Sequence, residues 1–397
     1  MTHLLLVTIY LAFVSLGLPD SLLGAAWPSM YSSLGASVAS AGLVSLTITV
    51  CTVISSLASD RLVRKFGTGV VTAVSTFLTA AALFGFSLST RFWMLLLWAL
   101  PYGLGAGSID AALNNFVALH FHARHMNWLH CFWGLGAAIG PQIMAFCLVR
   151  NSWQGGYRTI ATIQFTLTAI LLLSLPLWKK KSASAAASTQ EAPSVRTLLH
   201  RLDGRAALCS FFFYCSLEMS AGLWSASYLV LQKEMDAQLA ASLTAAFYVG
   251  ITVGRIIGGF LTVRMDSPSL IRAGEGFIFA ALIALIVLPP SAVCGTALFF
   301  LGFGCAPVYP CLIHETPRRF GQNASQAMIG LEMAAAYVGS AAMPPLAGLI
   351  VQYVSPAVFP AFLCLFAVLL CIMTELLRAL DRRREAIETA SKQGSAR

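Results

Sequence analysis

The stretch 107-GSIDAALNN-115 lies inside an apolar run from Phe92 to Leu119, and its reading decides the fold. Asp110, Asn114 and Asn115 sit there among hydrocarbon side chains. On insertion scales, a carboxylate at the centre of a membrane helix costs about 2.5 to 3.5 kcal/mol. Either the run does not cross a membrane, or the carboxylate is kept there for use.

Composition decides for the membrane. The 397 residues are 58% hydrophobic and only 10% charged, against roughly 25% charged in ordinary soluble domains. The mean hydropathy is +0.77. Apolar runs of about 20 residues, long enough to span a bilayer as helices, recur near 4–30, 38–58, 68–88, 92–119, 127–149, 157–178, 206–231, 240–262, 270–289, 291–313, 324–352 and 356–378. The expected fold is an all-α polytopic membrane protein with twelve transmembrane helices. The first run has no charged start and no small-residue cleavage site, and it is too long for a signal peptide, so it reads as helix 1.

The net charge of +9 gives the orientation. With the N-terminus cytoplasmic, the inner loops and tail carry 20 of the 25 Lys and Arg. Four fall on the outer side (Arg91, Arg150, Arg158 and Lys233), and Arg255 is intramembrane. That asymmetry is the positive-inside pattern. It sets both termini in the cytoplasm, as in a bacterial plasma-membrane protein, and argues against a nucleic-acid surface. The ten cysteines are scattered singly, without a Cys-x-x-Cys pair, and imply neither metal nor redox cofactor.

Residues 179–205 form the long polar interruption, a basic, Ala/Ser-rich linker with one proline. The expected organisation is a six-helix bundle over 1–178, a cytoplasmic linker over 179–205, a second bundle over 206–379 and a tail over 380–397. The bundles read as repeats. Gly103 and Gly105 recur as Gly302 and Gly304, Asp20 and Gly24 as Glu218 and Gly222, and Arg64 as Arg264, at offsets of 198 to 200 residues. Parallel halves of this kind are a major transporter architecture, with substrate bound midway between them.

Helical spacing groups the polar residues. Gly103, Gly107, Asp110 and Asn114 share one face, as do Gly17, Asp20, Gly24 and Trp27 in helix 1. Helix 7 offers Tyr214, Glu218, Gly222, Ser225 and Tyr228, with Trp224 beside them. Such stripes mean tight packing or a wet cavity, and the carboxylates favour the cavity. Pro19 leaves the Ser15 carbonyl without its helical donor, a bend beside Asp20. A carboxyl group at Asp110 can be carried neutral with a proton and charged without it. Proton or cation coupling is therefore the role taken forward, with direct ligand bonding or a structural hydrogen bond as alternatives. Glu218 and Glu332 are further binding candidates.

In helix 5, Asn127, His130 and Trp133 lie at three-residue steps. Rings that stack on a sugar face, with amides and carboxylates on its hydroxyls, suit a carbohydrate. An interfacial tryptophan and a satisfied histidine are the plainer alternative. His120, His122 and His125 read as a solvated loop rather than a metal site. In "SDRLVRKFGTG", Asp60, Arg61, Arg64 and Lys65 place opposite charges after helix 2, where they could gate the inner side or simply anchor it. Arg255 either pairs with a carboxylate or snorkels.

Together these residues resemble the major facilitator superfamily. "SDRLVRKFG" is similar to its loop 2–3 signature, with Ser56 and Val63 at the usual glycines. "GLPDSLLGAAWP", "GLGAGSIDAALNN", "NWLHCFWGLGAAIGP", "LEMSAGLWSASYL" and "GFGCAPVYP" resemble the fucose–galactose–glucose:proton symporter branch. The resemblance implies sugar binding and proton coupling at Asp20 and Asp110. It also implies sugar-facing positions at His130 and Trp133, where fucose-specific members carry amides. Gly140-Pro141 resembles a helix 5 motif of proton antiporters.

The expectation is a secondary transporter, not an enzyme, that takes up a hexose-like sugar with a proton, or with sodium, by alternating access. Proton coupling would involve Asp110 and Asp20. Substrate would be bound by Asp20, Trp27, Asn114, His130, Trp133, Glu218, Trp224, Tyr228 and Glu332, and gating would use Asp60, Arg61, Arg64 and Arg255. The partners are sugar, proton and the lipid bilayer, with no cofactor and no nucleic acid. An exporter of amphipathic compounds is the alternative, and a non-transporting receptor a more distant one.

Overall fold

Twelve helical spans, each long and apolar enough to cross a bilayer, correspond to the twelve hydrophobic runs. The computed structural model describes residues 2–20, 22–36, 40–148, 152–182, 195–235, 237–287, 289 and 293–394. Arg150, the linker centre (183–194) and the last three tail residues lie outside them. The protein is an all-α integral membrane protein. Its outward faces carry exposed apolar side chains such as Leu46, Phe260 and Ile283. In water these would form large hydrophobic patches, and in a bilayer they meet lipid.

The chain divides into two compact units, Met1–Glu191 with Ile329–Ala334, and Ala192–Met328 with Ala335–Arg397. The first part of the chain runs through α1 (Thr2–Gly17), α2 (Leu22–Met30), α3 (Ala41–Phe66), α4 (Thr68–Leu88), α5 (Phe92–His120), α6 (Ala123–Leu148), α7 (Trp153–Leu173) and α8 (Leu175–Ser182). The remainder comprises α9 (Val195–His200), α10 (Leu202–Leu231), α11 (Ala237–Leu261), α12 (Ser267–Val287), α13 (Val293–Cys305), α14 (Val308–Phe320), α15 (Gln322–Tyr353) and α16 (Phe359–Gly394).

Inside the first unit, α5 packs on α3 and α4, α4 on α7, and α1 on α6. The glycines explain how closely. A Cβ added at Gly103 would strike the Ile48 carbonyl of α3, and one at Gly105 would meet the Ser75 carbonyl of α4 at 2.6 Å. In the second unit a Cβ at Gly302 would strike the Phe247 carbonyl, and one at Gly304 would meet that of Gly274 at 2.5 Å. The glycines and the backbone atoms they accommodate all shift by the same 199 positions (48 to 247, 75 to 274). The two halves therefore repeat a packing geometry as well as a pattern of residue types.

Several helix ends depart from the expected ones. The run expected to stop near residue 58 continues as α3 to Phe66, so the charges after Ser59 ride on its last two turns instead of on a loop. The chain then reverses at a single residue, Gly67, with φ of 81°, a region that favours glycine. Gly321, with φ of 85°, makes the same turn between α14 and α15, after Arg318, Arg319 and Phe320. The tenth span is broken between Cys305 and Val308 at Pro307, which cannot donate to a helix. The tail expected from residue 380 is instead the extension of α16 to Gly394.

That extension is tied down by charge. Asp203, at the start of α10, accepts from Arg201 at 2.6 Å and from Arg384 of α16 at 2.8 Å. Arg319 reaches Asp381 at 2.8 Å, and Arg318 pairs with Glu315 and Glu385. Arg272 pairs with Glu375 just before the extension begins. Arginine's planar fork suits such shared carboxylates.

Candidate functional site

Helix 1 does not merely bend at Pro19; it breaks. α1 ends at Gly17 and α2 begins at Leu22, and Asp20 lies between them with an exposed side chain. The Ser15 carbonyl is satisfied from elsewhere, by Gln164 Nε2 of α7 at 2.7 Å. Gln164 Oε1 in turn accepts from the Thr79 hydroxyl of α4 at 2.8 Å. Thus a buried amide joins three helices at the break, where an unpaired carbonyl would be costly in hydrocarbon.

The break is pressed against α6. Added Cβ atoms at Gly17, Gly136 and Gly140 would strike the carbonyls of Trp133, Val14 and Leu18 respectively. This approach brings the Trp133 indole to the loop between α1 and α2, and its Nε1–H donates to Asp20 Oδ2 at 2.8 Å.

One helical step away on α6, His130 meets the second carboxylate through an amide. Asn114 Nδ2 donates to Asp110 Oδ1 at 2.7 Å and to the Asp110 carbonyl at 3.0 Å. The His130 Nε2 lies 3.2 Å from Asn114 Oδ1. Asp110, Asn114 and His130 are all buried, and Phe13 of α1 meets the imidazole edge-on at 5.5 Å. One face of α6 therefore hydrogen-bonds toward both membrane carboxylates. The arrangement can hold a proton on a carboxyl group and offer ring faces and polar edges to a polyhydroxylated ligand.

The structure separates this cluster from other expected site residues. Gly103 and Gly107 are packing contacts against the Ile48 and Thr52 carbonyls, so the cavity reading of that stripe is corrected to its Asp110–Asn114 end. Trp27, expected on the binding face, is buried in the apolar core beside Phe92. Tyr228 is likewise in the interior against Phe359, its hydroxyl aimed at the Leu285 carbonyl at 3.5 Å. Trp224 donates to the Pro344 carbonyl at 2.8 Å, and its ring fills the space a side chain at Gly348 would need. α10 and α2 turn these three side chains toward neighbouring segments.

Glu218 is engaged too. Arg255 Nη2 lies 3.5 Å from its Oε1, and the arginine is buried, so pairing rather than snorkelling is the observed alternative. Glu332 is fully buried in α15. Asp60 accepts from Arg64 Nε at 2.9 Å within α3, and Arg61 is exposed. The three histidines do not form a solvated loop. His120 ends α5 with Nδ1 on the Phe116 carbonyl, His125 lies on α6 with Nδ1 2.7 Å from the Tyr10 hydroxyl, and only His122 is exposed.

Sequence reasoning missed Gln164 and the buried Glu275, which accepts from Thr374 at 2.7 Å. The signal for Gln164 was present, since a lone glutamine in "TIATIQFTLTAILLL" needs partners and Pro19 had left an acceptor without a donor.

Comparison with known proteins agrees with this architecture. "Bypass of stop codon protein 6" of Saccharomyces cerevisiae is 24% identical over 91% of this chain and 79% of its own length. "Glucose/mannose transporter GlcP" of Bacillus subtilis is 22% identical over 64% of this chain, and the match spans just under two thirds (65%) of that protein. The crystal structure of the E. coli fucose:proton symporter FucP superposes with a TM-score of 0.76 at 18% identity, covering 94% of this chain and 98% of FucP. At that identity the likeness establishes the fold. The family model described as the Major Facilitator Superfamily matches residues 9–331, and with the twelve spans and the repeated glycine packing this shows that the chain belongs to that superfamily of membrane transporters.

Proposed function

We propose that the protein is a secondary active transporter that takes up a hexose-like sugar together with a proton by alternating access. The observation that carries the reading is the pair of carboxylates, Asp20 and Asp110, each linked by hydrogen bonds to the ring-bearing face of α6. The names of two similar proteins support the substrate class, one a glucose/mannose transporter and the other a fucose:proton symporter. Asp110 is the proton site. Asp20 and Trp133, joined and reachable, form the sugar-binding edge, with His130 behind them. The wider set of Trp27, Trp224, Tyr228, Glu218 and Glu332 is reduced to supporting roles, and the Arg64–Asp60 pair to inner-side gating.

The membrane of this reading is a bacterial plasma membrane, and the distribution of Lys and Arg supports cytoplasmic termini. Gly140, which with Pro141 raised the possibility of exchange, packs against the Leu18 carbonyl.

The test is to add a panel of hexoses to de-energised cells expressing the protein and to follow external pH. Transient alkalinisation with one sugar, absent in Asp110→Asn, is the expected result. Asp110→Asn should abolish proton-driven accumulation and retain sugar exchange across the membrane. Accumulation against a gradient by that variant refutes the assignment. Sugar uptake that needs sodium and moves no proton replaces the coupling ion.

A further inference from the structure

The amide of Asn114 has a defined sense. Its Nδ2 faces two acceptors, the Asp110 carbonyl at 3.0 Å and Asp110 Oδ1 at 2.7 Å. Exchanging the amide's oxygen and nitrogen would set an oxygen against both. Oδ1 is therefore the atom that meets His130 Nε2, at 3.2 Å. An amide oxygen only accepts, so Nε2 carries the hydrogen. In the neutral ring Nδ1 is then the acceptor. Phe13 holds the imidazole edge-on, and the three linked residues are buried.

We infer that Asn114 is a positioning residue that links the charge state of Asp110 to the hydrogen-bonding state of His130, an inference that rests on the symport reading above. With Asp110 ionised, its oxygen polarises the amide, which strengthens Asn114 Oδ1 as an acceptor and holds Nε2–H in place. When Asp110 takes up a proton, that pull weakens and the ring is released to donate elsewhere. No proton crosses the amide; Asp110 gains and loses its own. Trp133, one step along α6 from His130, donates to Asp20. A change at His130 is thus felt on the same helix face that carries the sugar-binding edge.

The experiment uses the full chain in liposomes with D-glucose, D-galactose and L-fucose. For each sugar, proton uptake is divided by sugar counterflow measured without a pH gradient. For Asn114→Ala the protons moved per sugar should fall about tenfold, the scale of one lost hydrogen bond to a charged group. His130→Phe should behave like it. His130→Gln, whose amide still donates to Asn114 Oδ1, should keep most of the native ratio. If Asn114→Ala does not fold, the contrast between His130→Phe and His130→Gln decides. An unchanged ratio in Asn114→Ala and His130→Phe overturns the inference alone, as does parallel loss of proton uptake and counterflow in all three variants. A native protein that moves none of these sugars, or moves them without protons, overturns the symport reading and this inference with it.

Discussion

Trp133 and Arg255 are each held to one carboxylate, and the difference between them is exposure. Trp133 donates to Asp20, whose carboxylate still faces accessible space. Trp133→Phe keeps the ring and removes the N–H. It should raise the sugar KM about tenfold or more, the scale of one charge-assisted hydrogen bond, with protein abundance unchanged. Arg255 and Glu218 are enclosed together. Removing one partner of a buried pair costs about 3–5 kcal/mol, whereas replacing both by apolar groups can be neutral. Arg255→Leu alone should therefore lower the melting temperature of the detergent-purified protein sharply, and Arg255→Leu with Glu218→Met should recover most of it. Equal loss in single and double variants would show that the loss does not come from a stranded Glu218 carboxylate. At this scale the sequence displayed the carboxylates and the rings of α6, because charge and indole stand out in hydrocarbon. It did not show which ring meets which carboxylate, since spacing along one helix says nothing of the helix opposite.

Proline and glycine govern the elements. Pro19 removes a donor, and the resulting break is sustained by Gln164, which reaches from α7 to the Ser15 carbonyl. Gln164→Leu leaves that carbonyl and the Thr79 hydroxyl without this partner. A loss of about 1–3 kcal/mol is expected, read as a lower melting temperature, and Gln164→Glu should cost at least as much, because a buried carboxylate oxygen would then face the Ser15 carbonyl. Gly103 and Gly302 occupy corresponding contacts with the Ile48 and Phe247 carbonyls. Valine at either position forces two backbones apart, at a cost of about 1–3 kcal/mol or more, and the two variants should be similarly impaired. Dissimilar effects would argue that the repeated packing is not equivalent in the two units. The repeat of these glycines was legible from their offset. That the last turns of α3 are helical was not, because polar residues at a helix end carry no apolar periodicity to mark them.

Over the whole molecule, charge distribution predicts the orientation. An N-terminus on the inside would set Arg61 and Arg383 in the cytoplasm. Single cysteines replacing them, in a background lacking the ten native cysteines, should react with an impermeant thiol reagent only in inside-out vesicles. Labelling from outside would reverse the topology. The second unit also carries the ion pairs that fix the extension of α16 to α10 and α14. Asp203→Asn weakens the hold on both Arg201 and Arg384, and proteolysis of the segment beyond Leu380 should become faster.

The amino-acid sequence by itself determined that the chain crosses a membrane, how many times, and that its halves repeat. Each of these follows from hydrophobic length and charge, properties that a helix has before it meets another. It also singled out Asp20, Asp110 and His130, because polar groups in hydrocarbon need a reason to be there. Only the tertiary structure decided that Trp27, Trp224 and Tyr228 pack inward, that Arg255 takes Glu218, and that Asn114 stands between Asp110 and His130. Those outcomes depend on which helix faces meet and how closely, and glycine backbone contacts between distant segments settle that, not local spacing.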